Sequence, residues 1–282
     1  MKPMRSLPVF LLALAALAVA VPQAGTLLRR SLAADAVDTY KVEERVKQTV
    51  KSPLGELPVE VQSSKTLVVK TLKVDAASGT AGIETTTTVD KMTADGPIGD
   101  KLGPRPAPVT QKGKIDVRGR TTYEKTAAVD LSALLAGASA AGSGGNFIEL
   151  PEKAVEIGAT WDIVVPKGPY LNDADQKLVA KLVGEKVVEG VPVWVVTVTG
   201  TIRSAVDSSK MPGSKEAPAT AMRAVSEVDL TGEGWVEKST GRTFSMVSKG
   251  VLRAKIELVE TGIVMEATGT IDSTLKLQKP GA

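Results

Sequence analysis

The sequence predicts an all-β protein: long antiparallel strands in a strongly curved sheet or half-open barrel, in two halves of similar order, with few short helices. Three observations predict this. Apolar and polar side chains alternate with a period of two over most of the chain, and one of the two sets is polar. A sheet with one wet face is antiparallel, because parallel strands covered on both sides read as continuous apolar runs. The alternating stretches are about 11 to 16 residues long against a usual ~5–6, and strands of that length in one sheet twist and coil. Short Gly-containing turns separate them.

The elements follow in chain order. Lys2 and Arg5 precede Leu7–Val21, a stretch without a charge, and Ala18-Val19-Ala20 places small residues at its end. This reads as a secretory signal peptide over residues 1–20, cut after Ala20, with Ala24 as the second candidate. Pro22, Gln23 and Gly25 interrupt the apolar run short of the ~20 residues a membrane span needs, and Arg29 and Arg30 follow. No stable transmembrane anchor is expected, and the protein is placed in the periplasm or outside the cell. Residues 21–36 then form an N-terminal linker.

The first β half is expected over 37–136. Tyr40, Val42, Glu44, Val46, Gln48 and Val50 alternate with charged and polar residues between Lys41 and Lys51. Glu44 is the one carboxylate on the apolar side, where a sheet edge or a bulge beside Arg45 is expected to reorient it. Asp75–Gly79 punctuates Leu57–Val74 and Thr80–Met92, and the β-branched tract Thr85–Val89 favours a strand. Ile115, Val117, Gly119, Thr121 and Tyr123 oppose a charged set and read as one strand. Asp130–Ala136 is a short helical turn capped by Asp130, and residues 137–149 contain a Gly/Ala/Ser linker.

The second β half is expected over 150–279. Pro151 ends preceding structure, Gly158 permits a tight turn, and Trp161 anchors a new strand by burying a large ring. Glu189-Gly190 reads as a two-residue hairpin turn between Leu178–Val188 and Val191–Ile202. Phe244, Met246, Leu252, Ala254, Ile256 and Leu258 alternate with Thr243, Ser245, Lys249, Arg253, Lys255 and Glu257; a further alternating strand runs from Ile263 to Leu277. Each half holds a long hairpin and then a Pro-containing loop, Asp95–Val109 and Asp207–Pro218, without residue-level identity between them.

Leu150-Pro151-Glu152-Lys153-Ala154-Val155-Glu156-Ile157-Gly158-Ala159-Thr160-Trp161 has the form L-P-x-K-x-V-x-x-G-x-x-W. This segment resembles one found in uncharacterised families of exported bacterial β-proteins, where it precedes a strand opening the C-terminal half. More distantly, the chain resembles the half-open barrels of lipoprotein carriers, which hold acyl chains in a curved sheet. The resemblance implies no catalytic or binding residues.

Composition narrows the chemistry. With no Cys there is no disulfide or thiolate nucleophile, and with no His there is no imidazole base, Ser-His-Asp triad or ordinary zinc site. The formal charge of +3 is too close to balance for a nucleic-acid partner. Ser273-Thr274-Leu275-Lys276 fits S-x-x-K, but in a strand Ser273 and Lys276 fall on opposite faces, and Lys238-Ser239-Thr240-Gly241 misses K-T-G by one inserted residue. Asn172, Asp173 and Asp175 form a solvated turn without the spacing of a calcium loop. No cofactor is expected.

Trp194, Met222, Phe244, Met246 and Met265 fall on the inward faces of the C-terminal strands and are the candidate ligand-binding residues, because Met adapts to variable apolar partners. The expected function is that of an exported, non-enzymatic β-protein binding an apolar small molecule, a lipid or an envelope protein partner on its curved sheet. The alternatives are a structural envelope protein with a filled core, and a carboxylate-dependent hydrolase.

Overall fold

The structure, a computed structural model, describes residues 25–95, 107–124, 148–165, 174–207 and 221–278. The expected signal peptide, the Asp130–Ala136 turn and nearly all of the Gly/Ala/Ser linker lie outside the described residues, as do Asn172 and Asp173. Among the described residues there is no helix. The first five strands are β1 (Val37–Ser52), β2 (Gly55–Asp75), β3 (Thr80–Asp95), β4 (Val109–Asp116) and β5 (Thr121–Tyr123). Six more follow: β6 (Thr160–Val165), β7 (Gln176–Val188), β8 (Val191–Asp207), β9 (Met222–Glu237), β10 (Thr243–Leu258) and β11 (Ile263–Leu277).

All eleven form one antiparallel sheet in the order β5-β4-β3-β2-β1-β11-β10-β9-β8-β7-β6. Read as a ring, this is sequence order with a single interruption between β5 and β6. The interruption has a topological cause. An up-and-down ring pairs antiparallel throughout only if its strand count is even, and among the described residues it is odd. β1 and β11 run antiparallel, so β5 and β6 run in the same direction and cannot join the ladder as an antiparallel pair. The sheet is therefore an open, curved layer, not a closed barrel.

Three consecutive residues measure the curvature. Glu149 bonds Arg118, in the β4–β5 turn at one edge, through a carboxylate–guanidinium contact of 2.7 Å. The Glu149 carbonyl accepts from Trp161 Nε1, in the opposite edge strand, at 2.7 Å. The Leu150 N–H donates to the Arg118 carbonyl at 2.8 Å. A flat sheet of this many strands would hold its edges roughly 48 Å apart, whereas three residues reach about 11 Å. The edges have coiled toward each other, and Ile148–Leu150 staples the seam.

The alternation expected from sequence holds along the layer. Val46 is 2% exposed, Ile115 1% and Ile256 6%, all on the inner face, with charged partners outside. The Glu189-Gly190 turn has φ of 52° and 80°, the double positive φ of a tight hairpin. Three expectations are corrected. Ile115–Tyr123 is two strands: Asp116 Oδ1 accepts from the Arg118 and Arg120 N–H groups at 2.9 and 3.0 Å, and Gly119 turns the chain at φ 81°. The alternation survives the turn because Ile115 pairs directly with Thr121. Thr243 and Ser245 are buried, not wet, because a bulge between them rotates the start of β10. Ser245 Oγ then donates to the Leu275 carbonyl at 3.0 Å, and Thr243 Oγ1 accepts the Ile148 N–H at 3.2 Å. Strands also reach 21 residues, in β2, beyond the expected range.

One end of the curved layer is filled by two crossing segments, here called the plug. Residues 25–36, read in the sequence as a linker, carry Leu28 into a core cluster with Ile148, Leu150, Leu178, Leu182, Val196 and Val236. A second cluster around Tyr40, Val69, Ile83 and Ile115 receives Leu32. Backbone bonds fix the crossing: Arg30 N–H to the Val117 carbonyl at 2.6 Å, Ser31 N–H to Thr240 at 2.7 Å, and a reciprocal pair between Thr26 and Val155 at 2.8 and 3.0 Å. Arg29 donates to the Pro151 and Glu152 carbonyls, tying one crossing segment to the other. Gly241, at φ 66°, sits under this strand of chain; a Cβ there would come within 2.1 Å of the Arg29 carbonyl oxygen.

A buried ionic network closes the same end. Arg30 bonds Asp38 at 2.8 Å with both side chains more than nine-tenths buried. Asp38 also takes Arg242 at 2.9 Å, and Arg242 takes Glu237 at 3.0 Å. The two arginines that follow the apolar N-terminal run are thus structural parts of the folded protein. Burial beside this network pushes the Tyr40 phenol up to about 12, against the partial relief given by Arg30.

Candidate functional site: the inner face of the sheet

The register fixes which side chains share the inner face, because paired residues project to the same side. Moving from the plugged end toward the β10–β11 turn, one transverse row reads Ser63, Glu44, Ser273, Ser248, Gly232. The next reads Val61, Val46, Ile271, Gly250, Leu230, and the one after that Val59, Gln48, Gly269, Leu252, Val228. Ala267, Ala254 and Ser226 follow, then Met265, Ile256 and Ala224, and finally Ile263, Leu258 and Met222.

This face has two regimes. Near the plug, the apolar side chains are packed by residues of the crossing segments. Beyond the Glu44 row, Leu230 and Ile202 still pack against the plug-end cluster, whereas Val46, Val228, Leu252, Ile256 and Ala267 are buried outside both clusters that contain crossing-segment residues. Val59 and Val61 form a third cluster made of sheet residues alone, with Val50, Leu57, Met92 and Ala94. Neighbours close over the glycines of this region: a Cβ would come within 2.7 Å of Val228 Cγ1 at Gly250 and within 2.1 Å of the Lys47 carbonyl oxygen at Gly269.

Between the regimes lies a polar row. Glu44, 8% exposed, stays on the inner face in the middle of the sheet; it is neither at an edge nor turned outward by a bulge at Arg45. The reason is Lys65, which pairs with Val42 and so projects to the same side, next to a bulge between Ser64 and Lys65. Lys65 Nζ bonds Glu44 Oε2 at 2.5 Å and Ser63 Oγ donates to the same oxygen at 3.2 Å. Charge is therefore brought onto an apolar face in a compensated form.

The five residues singled out in the sequence are divided by this geometry. Trp194 packs against the plug-end core and carries Lys238 Nζ 3.9 Å above its ring. Met246 packs against both plug-end clusters, and Phe244 is buried in the β10 bulge. Met222 and Met265 lie at the far end, opposite Leu258 and Ile256. Met246 and Leu258 are twelve residues apart along β10, roughly 40 Å, so the five do not meet at one place. Ser273 faces inward beside Glu44, while Lys276 points outward to Glu189 at 2.5 Å, so the S-x-x-K pair is separated by the sheet.

A cleft of about 460 Å³ is lined by the outward-facing Lys47, Pro58, Glu60, Asp95 and Thr268 and by the Val59–Gln48–Gly269 row of the inner face. Among the described residues, no group of three or more Asp and Glu could hold a metal ion, and no helix is long and apolar enough to cross a membrane.

No known protein family matches the chain, and no curated protein does either. Among solved structures, it is similar to a DUF1329 family protein from Desulfovibrio piger, at 10% identity over 87% of each chain with a TM-score of 0.15. It is also similar to a putative outer membrane lipoprotein-sorting protein domain from Vibrio parahaemolyticus, at 11% identity over 86% of this chain and 87% of that one, with a TM-score of 0.18.

Proposed function

We propose that this protein is an exported, non-enzymatic carrier or receptor that holds the apolar part of a lipid on the inner face of its sheet, between the Glu44 row and the β10–β11 turn. One observation carries the reading: on β1, β2, β10 and β11 the apolar inner face continues for several rows beyond the plug-end clusters, and Ile271, Ala254, Leu258 and Met265 there are only half-buried. Apolar surface on that scale is worth about 25 cal/mol per Å² when covered, so an occupant with an acyl chain gains free energy there at roughly 0.8 kcal/mol per methylene buried. Met265, half-buried opposite Ile256, offers such a chain adaptable surface at the far end of the face.

Solvent extraction of the purified protein followed by mass spectrometry, with native mass spectrometry of the intact sample, tests the proposal. A co-purified lipid in stoichiometric amount, and a thermal shift on adding phospholipid to delipidated protein, are the expected results. A delipidated sample that gives no shift with phospholipids or fatty acids rejects it. The hydrolase reading is not favoured by the inner-face carboxylates of β1: Glu44 is bonded to Lys65 and Ser63, and Asp38 to Arg30 and Arg242.

A further inference from the structure

We propose that the tips of the β1–β2 and β10–β11 turns dock this protein on a lipid surface of no net charge, with the Leu54 side chain entering the bilayer. This deepens the reading above and rests on it: the plug fills one end of the curved layer, and these turns border the other. The two turns stand side by side. Lys51 pairs with Glu266, so the β1–β2 turn begins one residue further out than that pair, and β11 reaches its turn three residues further out. Leu54 is 98% exposed, and it does not sit on a slack loop. Pro53 precedes it, and Ser52 Oγ accepts the Leu54 N–H at 3.2 Å and donates to the Gly55 carbonyl at 3.1 Å. The turn thereby holds an apolar side chain out in water, where it adds nothing to the packing of the fold. The neighbouring turn is fixed in the same manner. Its Thr261 and Gly262 N–H groups donate to the Leu258 carbonyl at 3.3 and 2.8 Å, and Thr261 Oγ1 accepts the Ile263 N–H at 3.4 Å. It presents Val259, Ile263 and Val264, each more than a third exposed. Leu258 and Met265, half-buried, carry the apolar surface from these tips onto the inner face.

Two features favour a bilayer over a protein partner. The apolar residues cap projecting turns, and a projecting tip buries little area against a rigid face, whereas a fluid interface closes around it. The charges behind the tips alternate in sign: Glu56, Lys51, Glu266 and Lys255 follow one another across β2, β1, β11 and β10. Such a row is no basic belt for an anionic membrane, so apolar insertion rather than attraction between charges supplies the affinity. The end of the sheet away from the plug then meets the bilayer directly, and an acyl chain passes between the two without crossing water.

Flotation of the purified exported protein with phosphatidylcholine vesicles tests the proposal. Binding is expected, with no loss on added salt. Leu54→Ser should weaken it by roughly tenfold, the low end for burying a leucine side chain, and the fold does not depend on so exposed a residue. Val187→Ser, which removes an apolar side chain 68% exposed at the plugged end, should bind like the parent. Leu54→Trp should bind at least as well and add a fluorescence that brominated acyl chains quench. Binding unchanged in Leu54→Ser, equal losses in Leu54→Ser and Val187→Ser, or binding that requires phosphatidylglycerol and falls with salt overturns the docking. So does a dimer in native mass spectrometry that Leu54→Ser disperses, since the tips then cover each other. Docking and the carrier reading fail separately. Co-purified lipid without vesicle binding overturns the first alone. Vesicle binding that depends on Leu54, by a protein that takes up no lipid, overturns the second alone, and the absence of both overturns both.

Discussion

Replacing Asp38 by Asn tests whether the plug is held by the buried ionic network. Asn keeps the size and shape of the side chain but removes the charge that Arg30 meets at 2.8 Å and Arg242 at 2.9 Å. Arg30 is the sensitive partner, because its side chain is 5% exposed and cannot recover water where it sits. Leaving one buried charge without its counter-charge costs about 3–5 kcal/mol. Arg242 is 30% exposed and retains Glu237, so solvent screening keeps its share small. Against a total stability of roughly 5–15 kcal/mol, the loss is a large fraction, and it appears as a lower urea midpoint with an unchanged m-value. Equilibrium unfolding followed by tryptophan fluorescence measures it. The companion variant Arg30→Met/Asp38→Asn removes both charges and should recover most of the loss. An Asp38→Asn protein within about 1 kcal/mol of the parent, or a double variant no better than Asp38→Asn, refutes the assignment of the network as the plug's fastening.

Other outcomes follow from the same geometry. Gly234→Val places side-chain atoms where Ile148 Cδ1 lies 2.0 Å from the Cβ position, so Ile148 is displaced; a cost of about 1–3 kcal/mol and faster proteolysis next to the seam are expected. Gly241→Ala meets both the positive φ and the Arg29 carbonyl, and should lower the thermal midpoint more than Gly262→Ala, whose φ is 63° but whose surroundings are open. Tyr40 gives an alkaline prediction. Its phenol is held neutral in the folded chain to about 12, so the stability it contributes is complete below the unfolded value of 10 and is lost as the pH rises from there through about 12. Over that window the parent should lose roughly 3 kcal/mol more than Tyr40→Phe in urea titrations. Leu182→Ala, in the plug-end cluster, should cost about 2–5 kcal/mol, and Leu252→Ala in delipidated protein distinctly less; equal losses would mean that Leu252 is packed as tightly as the core.

The period of two made the strands and their wet side legible, because side-chain alternation is a local property of extended backbone. It did not show where one strand yields to the next when a tight turn keeps the alternation in phase, as Asp116–Arg120 does between Ile115 and Thr121. Neither did it show the bulge that buries Thr243 and Ser245, since a one-residue slip is a tertiary adjustment. The polar row illustrates the larger difficulty. Ser63, Glu44, Ser273 and Ser248 each interrupt an apolar face, and Glu44 alone drew notice in the sequence as the only carboxylate among its neighbours. Their alignment across four strands is a matter of register, and register is set by turns and bulges far along the chain. Trp194 and Met265 shared an inward face and were read as neighbours for the same reason that the polar row was missed: a face is visible in one strand, a position along it is not.

An odd count of strands leaves a lasting mark on how this molecule can breathe. Among the described residues every neighbouring pair but one is bound by a ladder of main-chain bonds, and the exception is bridged by Glu149 and Leu150 and crossed by the plug. Burial raises the affinity of the Glu149 carboxyl for its proton above the usual range, in opposition to Arg118, whose guanidinium it meets as a carboxylate. The girth of the molecule can then widen or narrow at one line, like a split collar, without a single ladder being cut.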